Sequence, residues 1–167
     1  LTLDAWLGDL PLCFVAEHGF VYRGKTGQWH LPSPHQHTWK PVVHSLLQAC
    51  AANNPGSFIE EKTVSLAWHY RIATDRAGAL SSLRELQKQL KPIVAQARLR
   101  ILTGRMVLEV QPSGTTKGTS AARWLRQHPY YMLAAGDDIT DEDLFKATTK
   151  NAYTIKVGSS PSSAMLH

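Results

Sequence analysis

Cysteine is scarce: Cys13 and Cys50 are the only two in 167 residues. Cys13 lies in an apolar run and Cys50 near the end of an apolar helical stretch, so both read as buried thiols. Nothing in that pair implies a disulfide framework or a cysteine-rich zinc site, and a reducing, cytoplasmic setting is expected. Long hydrophobic runs are missing too. None approaches the roughly 20 residues of a membrane span, and LTLDAWLGDLPLCFVAEHGF has no basic flank before its apolar part, so it is not read as a signal peptide. There is no initiator Met, and element-like sequence starts at once, so the chain reads as a piece of something longer. Lys and Arg form no block, which argues against nucleic acid. The Walker spacing G-x-x-x-x-G-K-S/T is also absent.

What is present is globular: 43% hydrophobic and 19% charged residues, enough chain for one domain or two small lobes. The net charge of +5 suits a soluble basic surface and would favour a phosphorylated ligand. The stretch YYMLAAGDDITDEDLF carries the densest chemistry. Tyr130 to Ala135 predicts a buried strand, Gly136 a break, and Thr140 the N-cap of a helix, with Asp143 completing a box-like pair. Asp141, Glu142 and Asp143 then complement a helix dipole. Asp137 and Asp138 are not explained this way. Two carboxylates at a buried strand end repel each other and lose solvation, and a hard cation such as Mg²⁺ relieves both costs.

Taken in order, Leu1 to Leu7 predicts the tail of a helix closed by Gly8, and Leu12–Ala16 a short buried strand ending in Glu17-His18-Gly19. Polar residues after a buried parallel-type strand stand where α/β proteins place ligands. Residues 24–37 are a Gly-, Pro- and His-rich loop or irregular hairpin. Its His30, His35 and His37 match no structural-zinc spacing and are expected to be solvated. Residues 38–52 follow helical spacing, with Thr38 as cap and Pro41 in the first turn. Ser57–Glu61 and Val64–Arg71 predict two strands. In the second, Val64, Leu66, Trp68 and Tyr70 share one face. A helix capped by Thr74 or Asp75 runs to about Ala97, with Pro92 a point of kinking or division. Arg98–Leu102 and Met106–Val110 pair across Thr103-Gly104-Arg105. Residues 38–110 thus read αββαββ, an α+β sandwich inserted between two α/β pieces. The polar loop 111–118 feeds a helix from Thr119 to about Arg126, and its amides with Lys117 suit a phosphate. Lys146 to Lys150 ends the next helix, and Tyr153–Val157 is a last strand.

VAEHGF, IEEKTVSLAWHYR, VLEVQPSGTTKG and GDDITDEDLF, in that order and spacing, resemble the trehalose-6-phosphate phosphatases of the haloacid-dehalogenase-like superfamily. The resemblance spans about Leu3 to Val157. It implies a partial Rossmann-like core in 1–26 and 111–167 and an α+β cap in 27–110. It also implies a Mg²⁺-dependent hydrolysis of trehalose 6-phosphate, in a longer protein fused to or partnered with a trehalose-phosphate synthase.

By position in the family, Lys117 is the phosphoryl lysine and Asp137 the direct or water-mediated magnesium ligand, with Asp138 and Asp141 supporting the metal shell and Lys117. Glu17, His18 and Gly19 at the hinge, with Glu61, Lys62 and Arg71 of the cap, contact the sugar. Trp29 or Trp68 would offer a face to a pyranose ring, although Trp68 is expected in the core. Two departures stand out. The nucleophile motif D-x-D-G-T is absent, with Asp4 and Asp9 on the wrong element to supply it, and Gln111 stands where the family often has a basic residue. The chain alone is therefore expected to be inactive. The rival reading is a non-catalytic sugar-phosphate-binding or regulatory domain beside a synthase.

Overall fold

The structure is a computed structural model and describes residues 2–25, 27–31, 38–127, 131–147 and 152–167. It divides into two units: residues 1–31 with 114–167, and residues 32–113.

The first unit begins with helix α1 (Thr2–Leu7), closed where the Gly8 N–H donates to the Asp4 carbonyl at 3.0 Å. Strands β1 (Phe14–Ala16), β2 (Val21–Arg23) and β3 (Trp29–His30) form an antiparallel ribbon in that order. The strand expected over 12–16 exists, but not as a buried parallel one. Phe14 is buried while Leu12 and Val15 are exposed: the turn at 17–19 reverses the chain, and among the described residues β1 pairs with β2 alone. The Asp4 carboxylate binds Arg23 at 2.6 Å and accepts the Trp29 indole N–H, and the Arg23 guanidinium lies 4.6 Å from the Phe14 ring centroid. Trp29 is thus tied to α1 through its edge. Of the three loop histidines, His30 stacks on Tyr22 at 4.5 Å, and His35 and His37 lie outside the described residues.

In the second unit, helix α2 (Lys40–Ala52) starts after Trp39 rather than Thr38, with Pro41 in its first turn, and buries Val43 and Leu47. Strands β4 (Phe58–Glu61) and β5 (Leu66–His69) pair antiparallel. Helix α3 (Arg76–Gln96) is capped by Asp75, whose carboxylate accepts the Gly78 N–H at 3.0 Å. It runs past Pro92 undivided and buries Leu83, Leu86 and Leu90. Strands β6 (Leu99–Gly104) and β7 (Val107–Pro112) complete an antiparallel sheet ordered β4-β5-β7-β6. The period-2 pattern of β5 aims Leu66, Trp68 and Tyr70 into a core with Trp39, Leu47, Leu90 and Val110. Its other face is not open: Ser65 and Ala67 are buried as well.

The chain then returns to the first unit. Helix α4 (Lys117–Gln127) starts two residues before the expected Thr119. Strand β8 (Met132–Gly136), helix α5 (Ile139–Ala147) and strand β9 (Ala152–Lys156) follow, with β8 and β9 parallel. Tyr130 lies outside the described residues. The burial expected of Tyr130 to Ala135 holds at Ala134 and fails at Leu133, 71% exposed, and at Tyr131 just before β8, 83% exposed; among the described residues β8 is paired along one edge only, to β9. Among the described residues no helix is long and apolar enough to cross a membrane.

Candidate active site

The corner between β8 and α5 is built by a glycine and three aspartates. Gly136 is the last residue of β8 rather than its breaker. A Cβ there would lie 2.1 Å from Cγ and 2.4 Å from Cβ of Asp141, so only a residue without a side chain admits Asp141 to this corner. Asp141 is 5% exposed and is no solvated first-turn acid. Its Oδ1 accepts from Lys117 Nζ at 2.7 Å, and its Oδ2 accepts the Asp138 N–H at 3.0 Å.

The N-cap of α5 is Asp138, not Thr140. Asp138 Oδ1 accepts the backbone N–H of Thr140 (2.8 Å) and of Asp141 (3.1 Å), and the Thr140 hydroxyl at 2.6 Å. Two orphan helix donors are satisfied by one carboxylate. Partial burial alone would raise the Asp138 pKa. The Thr140 hydroxyl, the Lys117 charge 3.9 Å away and the two backbone N–H groups outweigh it and hold the carboxyl below the usual range.

Lys117 opens α4 with its ammonium shared between Asp141 and Asp138. α4 lies hard against α5, since a Cβ on Gly118 would fall 2.2 Å from the Asp143 carbonyl oxygen. On the other side of α4 stands the turn Glu17–Gly19, all three residues at positive φ (46°, 58° and 102°). Two non-glycine residues there store strain of the kind concentrated at functional sites. Gly19 is obligatory, because a Cβ would land 1.7 Å from Ser120 Oγ. The turn and α4 enclose a cavity of about 320 Å³ lined by Glu17, His18, Gly19, Lys117, Ser120 and Trp124. Four of the sequence-predicted residues therefore share one pocket.

Asp137, Asp138 and Asp141 form the adjoining corner, and the remaining three, Glu61, Lys62 and Arg71, lie in the second unit. Glu61 pairs with Lys40 (3.2 Å), Lys62 reaches Glu109 (3.5 Å) and Glu60 (4.0 Å), and Arg71 donates to the Arg105 carbonyl at 3.2 Å. Sequence reasoning passed over Glu60, His69 and Glu109, which join Lys62 on the outer face of the sheet. His69 is 2.8 Å from Glu60, and Ser65 donates to Glu109 at 2.6 Å. A signal existed: Glu109 sits between Leu108 and Val110 in an alternating strand, and the registers Glu60↔Ala67 and Ala67↔Glu109 set both acids around one small residue. Gln111 is fully buried and aligned with Arg100 across the β6–β7 pair.

Among the described residues no group of three His, Cys, Asp or Glu side chains is gathered to hold a metal. The donor chemistry still fits a hard cation. Asp137 is exposed and its carboxylate takes no hydrogen bond from a described residue, whereas Asp138 spends Oδ1 on the cap. One carboxylate beside substrate oxygens is a normal magnesium arrangement.

A family model described as "Trehalose-phosphatase" matches residues 5–165. The bifunctional trehalose-6-phosphate synthase/phosphatase of Thermoproteus tenax is 42% identical over 163 residues, covering 97% of this chain and 22% of that protein. The C-terminal domain of C. albicans trehalose-6-phosphate phosphatase superposes with a TM-score of 0.84 at 28% identity, covering 99% of this chain and 69% of that one. A haloacid dehalogenase-like hydrolase from Bacteroides thetaiotaomicron shares the fold (TM-score 0.64, 14% identity, 99% of this chain and 74% of that one). The chain spans about a fifth of the length of the curated relatives it matches.

Proposed function

The chain belongs to the trehalose-phosphatase family, and from that premise we propose that it is part of a Mg²⁺-dependent phosphatase that hydrolyses trehalose 6-phosphate to trehalose and phosphate. In this reading residues 1–26 and 111–167 are core and 27–110 the cap. The parent protein carries or meets a trehalose-phosphate synthase, as the bifunctional Thermoproteus relative does within one chain. Cys13 is exposed and Cys50 partly buried, not the two buried thiols expected, and two unpaired thiols fit a cytoplasmic setting.

The observation that carries the reading is the Lys117–Asp141–Asp138 network beside the exposed Asp137. Phosphoryl transfer depends almost wholly on positioning and charge neutralisation. Lys117 would hold a phosphoryl oxygen, with Asp141 aiming its ammonium. Asp137 would hold the metal, with Asp138 fixing the loop that carries it. Mg²⁺, when bound, neutralises charge on the phosphoryl group. Glu17, His18 and Gly19 would line the entrance, and Glu61, Lys62 and Arg71 would meet sugar hydroxyls.

The test is phosphate release from trehalose 6-phosphate with Mg²⁺, comparing this chain with one longer upstream by about fifty residues, the scale of one or two βαβ units. Activity in the longer chain alone, abolished by Asp137→Ala, is expected. A second reading is a non-catalytic sugar-phosphate-binding domain, which loss of D-x-D-G-T from the sequence upstream of these 167 residues would favour. Binding of trehalose 6-phosphate without turnover in both chains would establish it instead.

A further inference from the structure

We propose that Lys156 is a positioning residue for Asp137, acting through the main chain and anchored from the C-terminal segment; the role assigned to Asp137 rests on the reading above. Lys156 is 4% exposed, rare for a lysine unless it is paired. Its ammonium donates to the Asp137 carbonyl oxygen at 3.0 Å and lies 3.6 Å from Glu142 Oε1.

The geometry of one peptide group gives this its meaning. The Asp137 carbonyl and the Asp138 N–H belong to the same planar unit. Lys156 holds its oxygen, and Asp141 Oδ2 holds its N–H at 3.0 Å. A cation and an anion therefore clamp the two ends of the plane that sets where the Asp137 side chain leaves the loop. Rotating the plane would break both charge-assisted bonds together. An apolar side chain could fill the space of Lys156 but could not hold that oxygen, which makes the cost of burying the ammonium intelligible.

The ammonium is itself held. Glu142 accepts from the Ser162 hydroxyl (2.6 Å), the Ser163 N–H (2.8 Å) and the Ser163 hydroxyl (2.6 Å). Those serines are stitched to β9 downstream: Leu166 N–H donates to the Thr154 carbonyl at 3.0 Å, and Lys156 N–H to the Leu166 carbonyl at 2.8 Å. The line of contacts runs from the C-terminal segment through Glu142 and Lys156 to the loop of Asp137.

The experiment uses this chain and two readouts: NMR-detected hydrogen exchange at the Asp138 amide, and Mn²⁺-induced broadening of resonances from Asp137 to Thr140. Lys156→Met should speed Asp138 exchange and raise the Mn²⁺ midpoint, each by about tenfold, the loss of one hydrogen bond to a charged group. Exchange across β5, in the other unit, should be unmoved, and Lys156→Arg should recover most of both effects. Unchanged Asp138 exchange and an unchanged Mn²⁺ midpoint in a folded Lys156→Met chain would overturn the proposal. Should that variant not fold, Ser162→Ala with Ser163→Ala, at the solvent end, decides: faster Asp138 exchange supports the line of contacts, and wild-type exchange refutes it. Exchange needs no metal. A chain whose Asp138 exchange depends on Lys156 but which shows no Mn²⁺ effect would sustain the clamp and refute Asp137 as a ligand.

Discussion

Gly136→Ala tests the logic of the site with one methyl group. The new Cβ would stand 2.1 Å from Cγ, 2.2 Å from Oδ2 and 2.4 Å from Cβ of Asp141. Turning the carboxylate aside does not relieve the clash, because the Asp141 Cβ is itself too near. The start of α5 must therefore move away from the end of β8. Overpacking of this kind costs about 1–3 kcal/mol. The movement also removes the bond from the Asp138 N–H to Asp141 or that from Lys117, each a hydrogen bond to a charged group at about 1.5–3 kcal/mol. The expected loss is about 3–5 kcal/mol, confined to the first unit. A single melting curve would blur two units, so the assay is hydrogen exchange read by mass spectrometry, comparing peptides from 131–147 with peptides from α3. A loss below about 1 kcal/mol in 131–147, the scale of an ordinary surface change, would refute the tight-corner argument. Equal losses in both regions would refute the confinement.

Three further outcomes are expected. The Ser162 hydroxyl, the Ser163 amide and the Ser163 hydroxyl hold the Glu142 pKa at about 2 against an ordinary 4.5. Its stabilisation is complete above pH 4.5 and disappears as pH falls through about 2. The acid-denaturation curves of the chain and of Glu142→Gln should thus converge over that range, and a constant gap would tell against the assignment. Leu47→Ala, at a fully buried position in the core of the second unit, should cost about 2–5 kcal/mol in urea unfolding followed by exchange in α2 and α3; a cost under about 1 kcal/mol would mean that this core is not close-packed there. The exposed Leu133, on a strand paired along one edge among the described residues, and the exposed Tyr131 just before it predict concentration-dependent self-association in sedimentation velocity. Leu133→Lys should suppress it, and a wild-type chain monomeric at every concentration would remove the basis for the prediction.

The order of elements was legible largely from periodicity, because α2, α3 and β5 of the second unit repeat their apolar residues at their own spacing. The details of the site were not. Asp138 and Thr140 are both good caps, and sequence does not say which side chain folds back; the answer depends on where β8 releases the chain. From the residues alone Asp141 reads as a first-turn acid facing a helix dipole, and only the family resemblance tied it to Lys117, because its burial depends on that lysine 24 residues away and on the missing side chain of Gly136. Lys156 was overlooked for a similar reason: a lysine at a strand end looks like surface until its carbonyl partner, 19 residues back, is in place. Glu17, His18, Gly19 and Lys117 were named from motifs, and their common cavity emerged only once the turn met α4. The burial expected across β8 failed at Leu133 for the opposite reason, since an apolar pattern says that a face wants covering and not what covers it.

The division of the first unit into two stretches of sequence carries a consequence for the order of assembly. The close approach of Gly19 to Ser120 joins positions 101 residues apart, the difference of the two numbers. In an unfolded chain that contact closes a long loop, at an entropic cost rising by about 0.6 kcal/mol per doubling of length. The second unit is contiguous and contains two hairpins of neighbouring strands, β4–β5 and β6–β7, so local pairing nucleates there first. Once formed, it shortens the loop that the first unit has left to close. In pulse-labelled refolding, amides of β5 and α3 should gain protection before those of β8 and β9. During synthesis the inserted unit can be complete while the loop carrying Asp137 is still unmade.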